Sequence, residues 1–288
     1  MKRTKLPLLA VMLCYCLCFK ARAQEYKEHI TKEFNVSKDA AARVLLIYNI
    51  TGFIKIEGYA GDKVLMEIDE TITADDAKNV EIGKKEVKLG FDQKQDSLVA
   101  YIAEPYDSRP RRGWYYNDER REAEYRYRFD YTIKVPYSMN LHIGTVNNGF
   151  ITVNNVNGSM HITNVNAGIK LTNVKGTTYA RTVNGDVTVE YADNPSEASS
   201  YSTINGNINV SYKAGLAADV QFKSLHGNLY TDFENITTGH ETATVKKDNN
   251  GNDNIYRLNK INAVRFGSGG KTFKFETLNG NVYIKKQS

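Results

Sequence analysis

Arginine set among aromatic rings is the most chemically suggestive pattern in the chain. The stretch "PYDSRPRRGWYYNDERREAEYRYRFD", residues 105–130, holds the single tryptophan, Trp114, with Tyr115, Tyr116, Tyr125 and Tyr127. Guanidinium groups beside aromatic faces can hold phosphate, sugar acids or single-stranded nucleic acid. From Asp107 to Asp130, however, seven arginines meet six acidic residues, so the segment is balanced rather than basic. The plainer reading is a long hairpin with cross-strand ion pairs and Tyr–Arg stacking.

Other chemistries fail on spacing. The five histidines, His29, His142, His161, His226 and His240, are far apart in sequence, and neither His-Glu-x-x-His nor Gly-x-Ser-x-Gly occurs. "KKDNNGNDNIY" resembles a calcium loop, but Asp248 is followed by Gly251 and no Glu closes it, so a hairpin tip is expected. "RFGSGGKT" ends like a phosphate loop, but Arg265 stands where the first glycine is required. No metal or cofactor site is expected. An enzyme that cleaves polysaccharide would need clustered carboxylates, and Asp186, Glu190 and Asp232 are the nearest candidates.

The first 23 residues read as an export signal. Lys2, Arg3 and Lys5 precede the apolar run "LPLLAVMLCYCLCF", and "ARA" ends at Ala23 in a small-x-small pattern. The run is short for a membrane span, and none of Cys14, Cys16 and Cys18 follows a small residue as lipid attachment requires. All three cysteines leave with this segment, and so do five basic residues; of 38 Lys and Arg, 33 remain against 33 Asp and Glu. The mature chain, from Gln24, is thus expected to be neutral, without thiols or a stable membrane span. Its charge gives no support for nucleic-acid binding.

These candidates must be positioned by something, and the chain is built of repeats. Units begin at Val156, Val165, Val174 and Val183, nine residues apart. Further units begin at Ile50, Val146, Ile204, Leu225 and Leu278, Ile204 and Leu225 each following at a gap of 21. The unit reads apolar, Asn, Gly, any, apolar, any, apolar. Asn and Gly tolerate positive φ and suit a sharp corner. The alternating residues after it suit a strand with one buried face. Met160 and Ile162, Ile169 and Leu171, Val187 and Val189, Ile208 and Val210, and Val282 and Ile284 form the inward series. His161, Lys170, Tyr179, Thr188, Asn209, Tyr230 and Tyr283 form the outward one. A meander could use this pattern, but copies that are alike rather than alternating fit a β-solenoid better, nine residues making one side of a coil. Stacked corner asparagines could then form a hydrogen-bonded ladder.

The stretch "YTIKVPYSMNLHIGTVNNGFITVNNVNGSMHITNV", residues 131–165, resembles a secreted family of β-strand-repeat proteins, adhesin-like by name and of unknown function. The resemblance covers about residues 45–288 and implies a right-handed β-helix-like domain, export, and an adhesive or envelope role. It carries no catalytic residue.

The expected organisation is a signal (1–23), a lead-in or cap (24–44) and an all-β, right-handed β-solenoid (45–288). Insertions are expected at about 70–130, where "ADDAKNVEIGKKEVKLGFDQKQDSLVAYIAE" reads as strands with charged exposed faces and the charged, aromatic-rich hairpin follows, and at 235–274. The expected function is that of an exported, non-enzymatic binding or structural protein of the cell envelope, in the periplasm, at the surface or outside the cell. Its partner is an envelope or host glycan, or a surface protein. Exposed aromatic and arginine residues dominate binding hot spots, which singles out Trp114, Tyr115, Tyr116, Arg111, Arg112, Tyr179 and Tyr230. The alternatives are a polysaccharide-degrading enzyme on the same scaffold and an accessory protein in envelope-stress signalling.

Overall fold

The computed structural model describes residues 23–36, 40–110, 123–238, 245–249, 254–258 and 263–287. The expected signal, up to residue 22, lies outside these residues, as do Arg111, Arg112, Trp114, Tyr115 and Tyr116.

The fold is all-β apart from one short helix and a single 3-10 turn among the described residues, and its strands form two mixed sheets. One sheet has twelve strands, in spatial order Gln24–Asn35, Lys63–Ala74, Tyr125–Pro136, Ile54–Tyr59, Ile151–Asn154, Ile169–Val174, Val187–Tyr191, Ile208–Tyr212, Val282–Lys286, Leu229–Thr231, Asn254–Leu258 and Val245–Asn249. The other has eleven: Ile236–Thr238, Ala263–Phe266, Ala218–Ser224, Lys271–Thr277, Ser199–Ser202, Thr178–Arg181, Met160–Thr163, Asn140–Gly144, Val44–Tyr48, Ser97–Glu104 and Lys88–Gln93. Each sheet ends in free edges, so neither closes into a barrel.

From Asn140 to Tyr212 the chain alternates between sheets, laying one strand in each per circuit and pairing parallel with the circuit before. Ile151 pairs with Ile169, Ile169 with Val187 and Val187 with Ile208. A nine-residue unit is therefore half a circuit. A one-residue slip would turn every inward side chain outward, so alternation and register fix each other. The whole inward series named above is buried, and both sheets contribute to one core.

Tyr191 and Tyr212, both fully buried, reach into the core from the twelve-stranded sheet. Their hydroxyls meet that of Tyr201, at 2.7 Å from Tyr191 and 3.1 Å from Tyr212, which keeps all three satisfied away from water.

The corners explain the repeat. At the units that begin at Val146, Val165, Val183, Ile204 and Leu278, the residue before the apolar position is a buried Thr or Asn that bonds a carbonyl of a neighbouring circuit. Thr182 Oγ1 donates to Ala167 O at 2.7 Å, Thr203 Oγ1 to Gly185 O at 2.8 Å, and Thr277 Oγ1 to Gly206 O at 3.2 Å. The asparagines after it form the expected ladder, on the exposed edge. Asn166 donates to Asn147 at 2.7 Å, Asn184 to Asn166 at 3.0 Å, Asn205 to Asn184 at 2.8 Å and Asn279 to Asn205 at 2.8 Å. The glycines serve mainly close approach rather than positive φ. A Cβ on Gly206 would lie 2.1 Å from Gly185 O, and one on Gly280 1.8 Å from Gly206 O. Gly185 alone of these three has φ in the left-handed region, at 155°.

Two circuits break chain order. The one formed by Val44–Tyr48 and Ile54–Tyr59 lies between that of Ser97–Glu104 and Tyr125–Pro136 and that of Asn140–Gly144 and Ile151–Asn154. At the other end, Lys271–Thr277 and Val282–Lys286 lie between Ser199–Ser202 with Ile208–Tyr212 and Ala218–Ser224 with Leu229–Thr231. The segments expected as interruptions thus contribute strands to the parallel stack. Antiparallel strands close each sheet at both ends, among them Gln24–Asn35 on Lys63–Ala74.

Two local expectations are corrected. "ADDAKNVEIGKKE" is not a strand but contains the helix Ala77–Glu86, started by Asp76, whose side chain accepts from Asn79 N at 2.7 Å. The flanks of the expected charged hairpin do not pair. Ser97–Glu104 and Tyr125–Pro136 belong to different sheets because each buries its own alternate residues on one side of the core. The segment's described ion pairs do not cross a hairpin: Arg109 bonds Asp107 two residues away and Asp92 outside the segment and lies 3.8 Å over the Tyr101 ring, and Arg128 pairs with Asp130 on its own strand.

Candidate functional site

Register places equivalent outward residues of successive circuits side by side. On the eleven-stranded sheet the central column runs Leu46, His142, His161, Tyr179, Ser200, Lys274, Gln221. Its rings touch in sequence. Tyr48, two residues along from Leu46, meets His142 edge-on at 5.8 Å; His142 and His161 lie 4.4 Å apart, and His161 stacks on Tyr179 at 4.3 Å and 21°. The two histidines, 19 residues apart in the chain, were invisible as a pair because circuit stacking alone joins them.

Burial holds both imidazoles below their ordinary value, and at His161 charge on His142 adds to the effect of burial. They are therefore neutral at pH 7 and offer one donor and one acceptor each. Since His161 covers one face of Tyr179, only the face toward Ser200 is left for another ring or a sugar.

Beyond Tyr179 the surface drops. Ser200 and Ser202 form the floor, in register with Tyr179 and Arg181 on one side and Lys274 and Glu276 on the other. Two adjoining hollows, of about 760 and 440 Å³, meet over Ser200 and share Tyr179 as a wall. Lys223, in register with Glu276, lines the second. None of Arg181, Lys223 and Lys274 has an ion-pair partner among the described residues. Their neighbours do: Arg265 bonds Asp219 at 2.8 Å and Lys271 bonds Glu197 at 3.2 Å.

Of the residues expected to bind, Tyr179 stands at this groove. Tyr230 lies on the other sheet, stacked on Tyr283 at 5.1 Å and 13°. The two are not brought together. Trp114, Tyr115, Tyr116, Arg111 and Arg112 lie outside the described residues. The larger hollow on the twelve-stranded sheet, about 1120 Å³ beside Phe53, Phe150 and Lys170, has several of its charges already engaged. Arg128 pairs with Asp130, and Asp186 accepts from Asn207 N at 2.7 Å.

The carboxylates considered for catalysis do not converge. Asp186 and Glu190 stand at opposite ends of one strand, and Asp232 follows Leu229–Thr231, three strands away. Asp232 is also engaged, accepting from Lys286 N at 2.6 Å. No group of three or more His, Cys, Asp or Glu among the described residues could hold a metal ion, and no described helix is long and apolar enough to cross a membrane.

No family model matches the chain, and no curated protein does. Among solved structures, a "putative cell adhesion protein" from Clostridium sporogenes aligns over 90% of this chain and 100% of its own, at 12% identity and a TM-score of 0.41. A "putative adhesin" from Bacteroides fragilis aligns over 90% and 97%, at 12% identity and a TM-score of 0.31. A "putative lipid binding protein" from Parabacteroides distasonis aligns over 91% and 97%, at 8% identity and a TM-score of 0.28. Two of these names agree with the adhesin-like resemblance; at such low similarity they leave the function to be argued from the residues.

Proposed function

We propose that the chain is an exported, non-enzymatic β-solenoid, right-handed as the resemblance implies, that presents its outer face to a glycan of the cell envelope or of a host. The regular alternation of strands between two parallel stacks supports the solenoid reading. The observation that carries the binding role is the aromatic column of the eleven-stranded sheet, which ends in an open groove beside Tyr179. A polymer can lie along such a face and meet similar groups at every circuit. The engagement of Asp186 and Asp232 with backbone N–H groups favours binding over cleavage.

The test is binding of residues 24–288, which contain nearly all of the described fold, to purified envelope and host glycans, with each polymer recovered and sized. Saturable binding with unchanged length supports the proposal. Shortened polymer makes the protein a polysaccharide-degrading enzyme instead. Failure to bind any glycan leaves a protein partner, including a membrane signalling component, as the better assignment.

A further inference from the structure

We propose that the serine-floored groove is selective for acidic sugar units, carboxylated or sulfated, held by Arg181, Lys223 and Lys274. The inference rests on the glycan-binding reading and adds the ligand's charge and its place. Neighbouring strands of a sheet lie about 4.8 Å apart, so Tyr179 and Lys274, one strand to either side of Ser200, are spaced by roughly 9.5 Å. That gap is wide enough to admit a sugar ring. One face of the ring would rest against the free side of Tyr179, and its hydroxyls would meet Ser200 and Ser202.

Charge supplies the selectivity. The mature chain as a whole is neutral on the export reading, yet three cations gather around this one groove with Glu276 as the acid lining it. Cations without a partner repel one another, and an anion between them relieves that repulsion. Arg181 offers a planar fork suited to a carboxylate or sulfate, while Lys223 and Lys274 act as point charges on flexible stems. The stacked histidines border the same hollow and are neutral at pH 7, so the lysines and arginine provide its positive charge.

The experiment compares binding of the purified chain to polygalacturonate, dextran sulfate and unmodified dextran at low and high salt. A variant carrying Arg181→Gln, Lys223→Gln and Lys274→Gln is measured beside it, with Lys170→Gln on the opposite sheet as control. The acidic polymers are expected to bind, and to weaken roughly tenfold or more when salt is raised from about 0.05 to about 0.5 M. The triple variant should lose a similar factor and the control should not. Preference for polygalacturonate assigns a uronic acid, preference for dextran sulfate a sulfated sugar, and equal binding a site that reads charge alone. Dextran binding as tightly as the acidic polymers, or a triple variant of unchanged affinity, overturns this inference while the glycan reading stands. If no polymer binds, this inference falls, and the panel of envelope and host glycans decides the glycan reading separately. The comparison among polymers does not depend on the variant, so it decides the matter even if the triple substitution disturbs folding.

Discussion

His142 and His161 spend their ring faces on each other and on Tyr48 and Tyr179. Their burial in that stack keeps them uncharged, and this has a measurable sign. Their folded values lie below the ordinary 6.5 that the unfolded chain regains. As pH falls through 6.5 the unfolded state takes up protons first, so the pair is without cost above that value and destabilising below it, levelling off beneath the depressed folded values. Replacing both by phenylalanine keeps a ring stack and removes the titration. Thermal midpoints taken between about pH 7.5 and 5 should fall less for that double variant than for the parent. Equal slopes would remove the histidines from the account. The buried tyrosines give a second residue-level test. Tyr201 is the hydroxyl that both Tyr191 and Tyr212 reach; Tyr191 also bonds Thr178 and Ser199, so Tyr201→Phe strands the Tyr212 hydroxyl at a cost of about 1–3 kcal/mol. Tyr212→Phe removes only one end of the chain of hydroxyls and should cost about 0.5–1.5 kcal/mol in denaturant unfolding.

At the scale of the element, the corner decides whether one circuit can lie on the next. Gly280→Ala would place a methyl group against the Gly206 carbonyl, whereas a Cβ on Gly215 meets nothing within 4 Å. The first substitution should destabilise by about 1–3 kcal/mol or more, and the second should be neutral or stabilise by up to about 1 kcal/mol. Similar losses for both would mean that the corners are less tightly stacked than described. The corner was legible in sequence because Asn-Gly marks a tight backbone path. Its cause was not, because the atoms that exclude a side chain at Gly280 belong to Gly206, 74 residues earlier. The strands were the most readable elements, since period-two alternation is set by the backbone itself. The helix Ala77–Glu86 was missed although its signal was present: Asp76 caps the first turn, and Lys84 and Lys85 stand in the last. The groove was half legible. Tyr179 could be placed outward from its own strand, but its floor and far wall come from residues one and two circuits away.

For the whole molecule, the circuits displaced from chain order matter most. Removing residues 271–288 would not shorten the stack by its last member; it would open a gap between Ser199–Ser202 with Ile208–Tyr212 and Ala218–Ser224 with Leu229–Thr231. Phe273, Phe275, Val282 and Ile284 are all buried there, each contributing about 1.5–3 kcal/mol. Their sum is comparable to the whole stability of a typical domain, about 5–15 kcal/mol. The truncated chain is expected to lose cooperative unfolding, as followed by near-ultraviolet circular dichroism in denaturant. A sharp transition of unchanged steepness would show that the gap closes by itself.

The same displacement sets a timetable during synthesis. Circuits in the middle can zip onto one another as they leave the ribosome. Ala218–Ser224 and Leu229–Thr231, though made earlier, have no parallel neighbour until residues 271–286 arrive, because that later piece is their parallel partner among the described residues. Val44–Tyr48 must likewise wait for strands on both sides, Ser97–Glu104 and Asn140–Gly144. The stack cannot be completed from a nascent chain still lacking residues 271–286. A polypeptide that must be threaded through a membrane pore before it folds, as proposed for this one, gains from that delay: the finished structure becomes accessible only after residues 271–286 have been made.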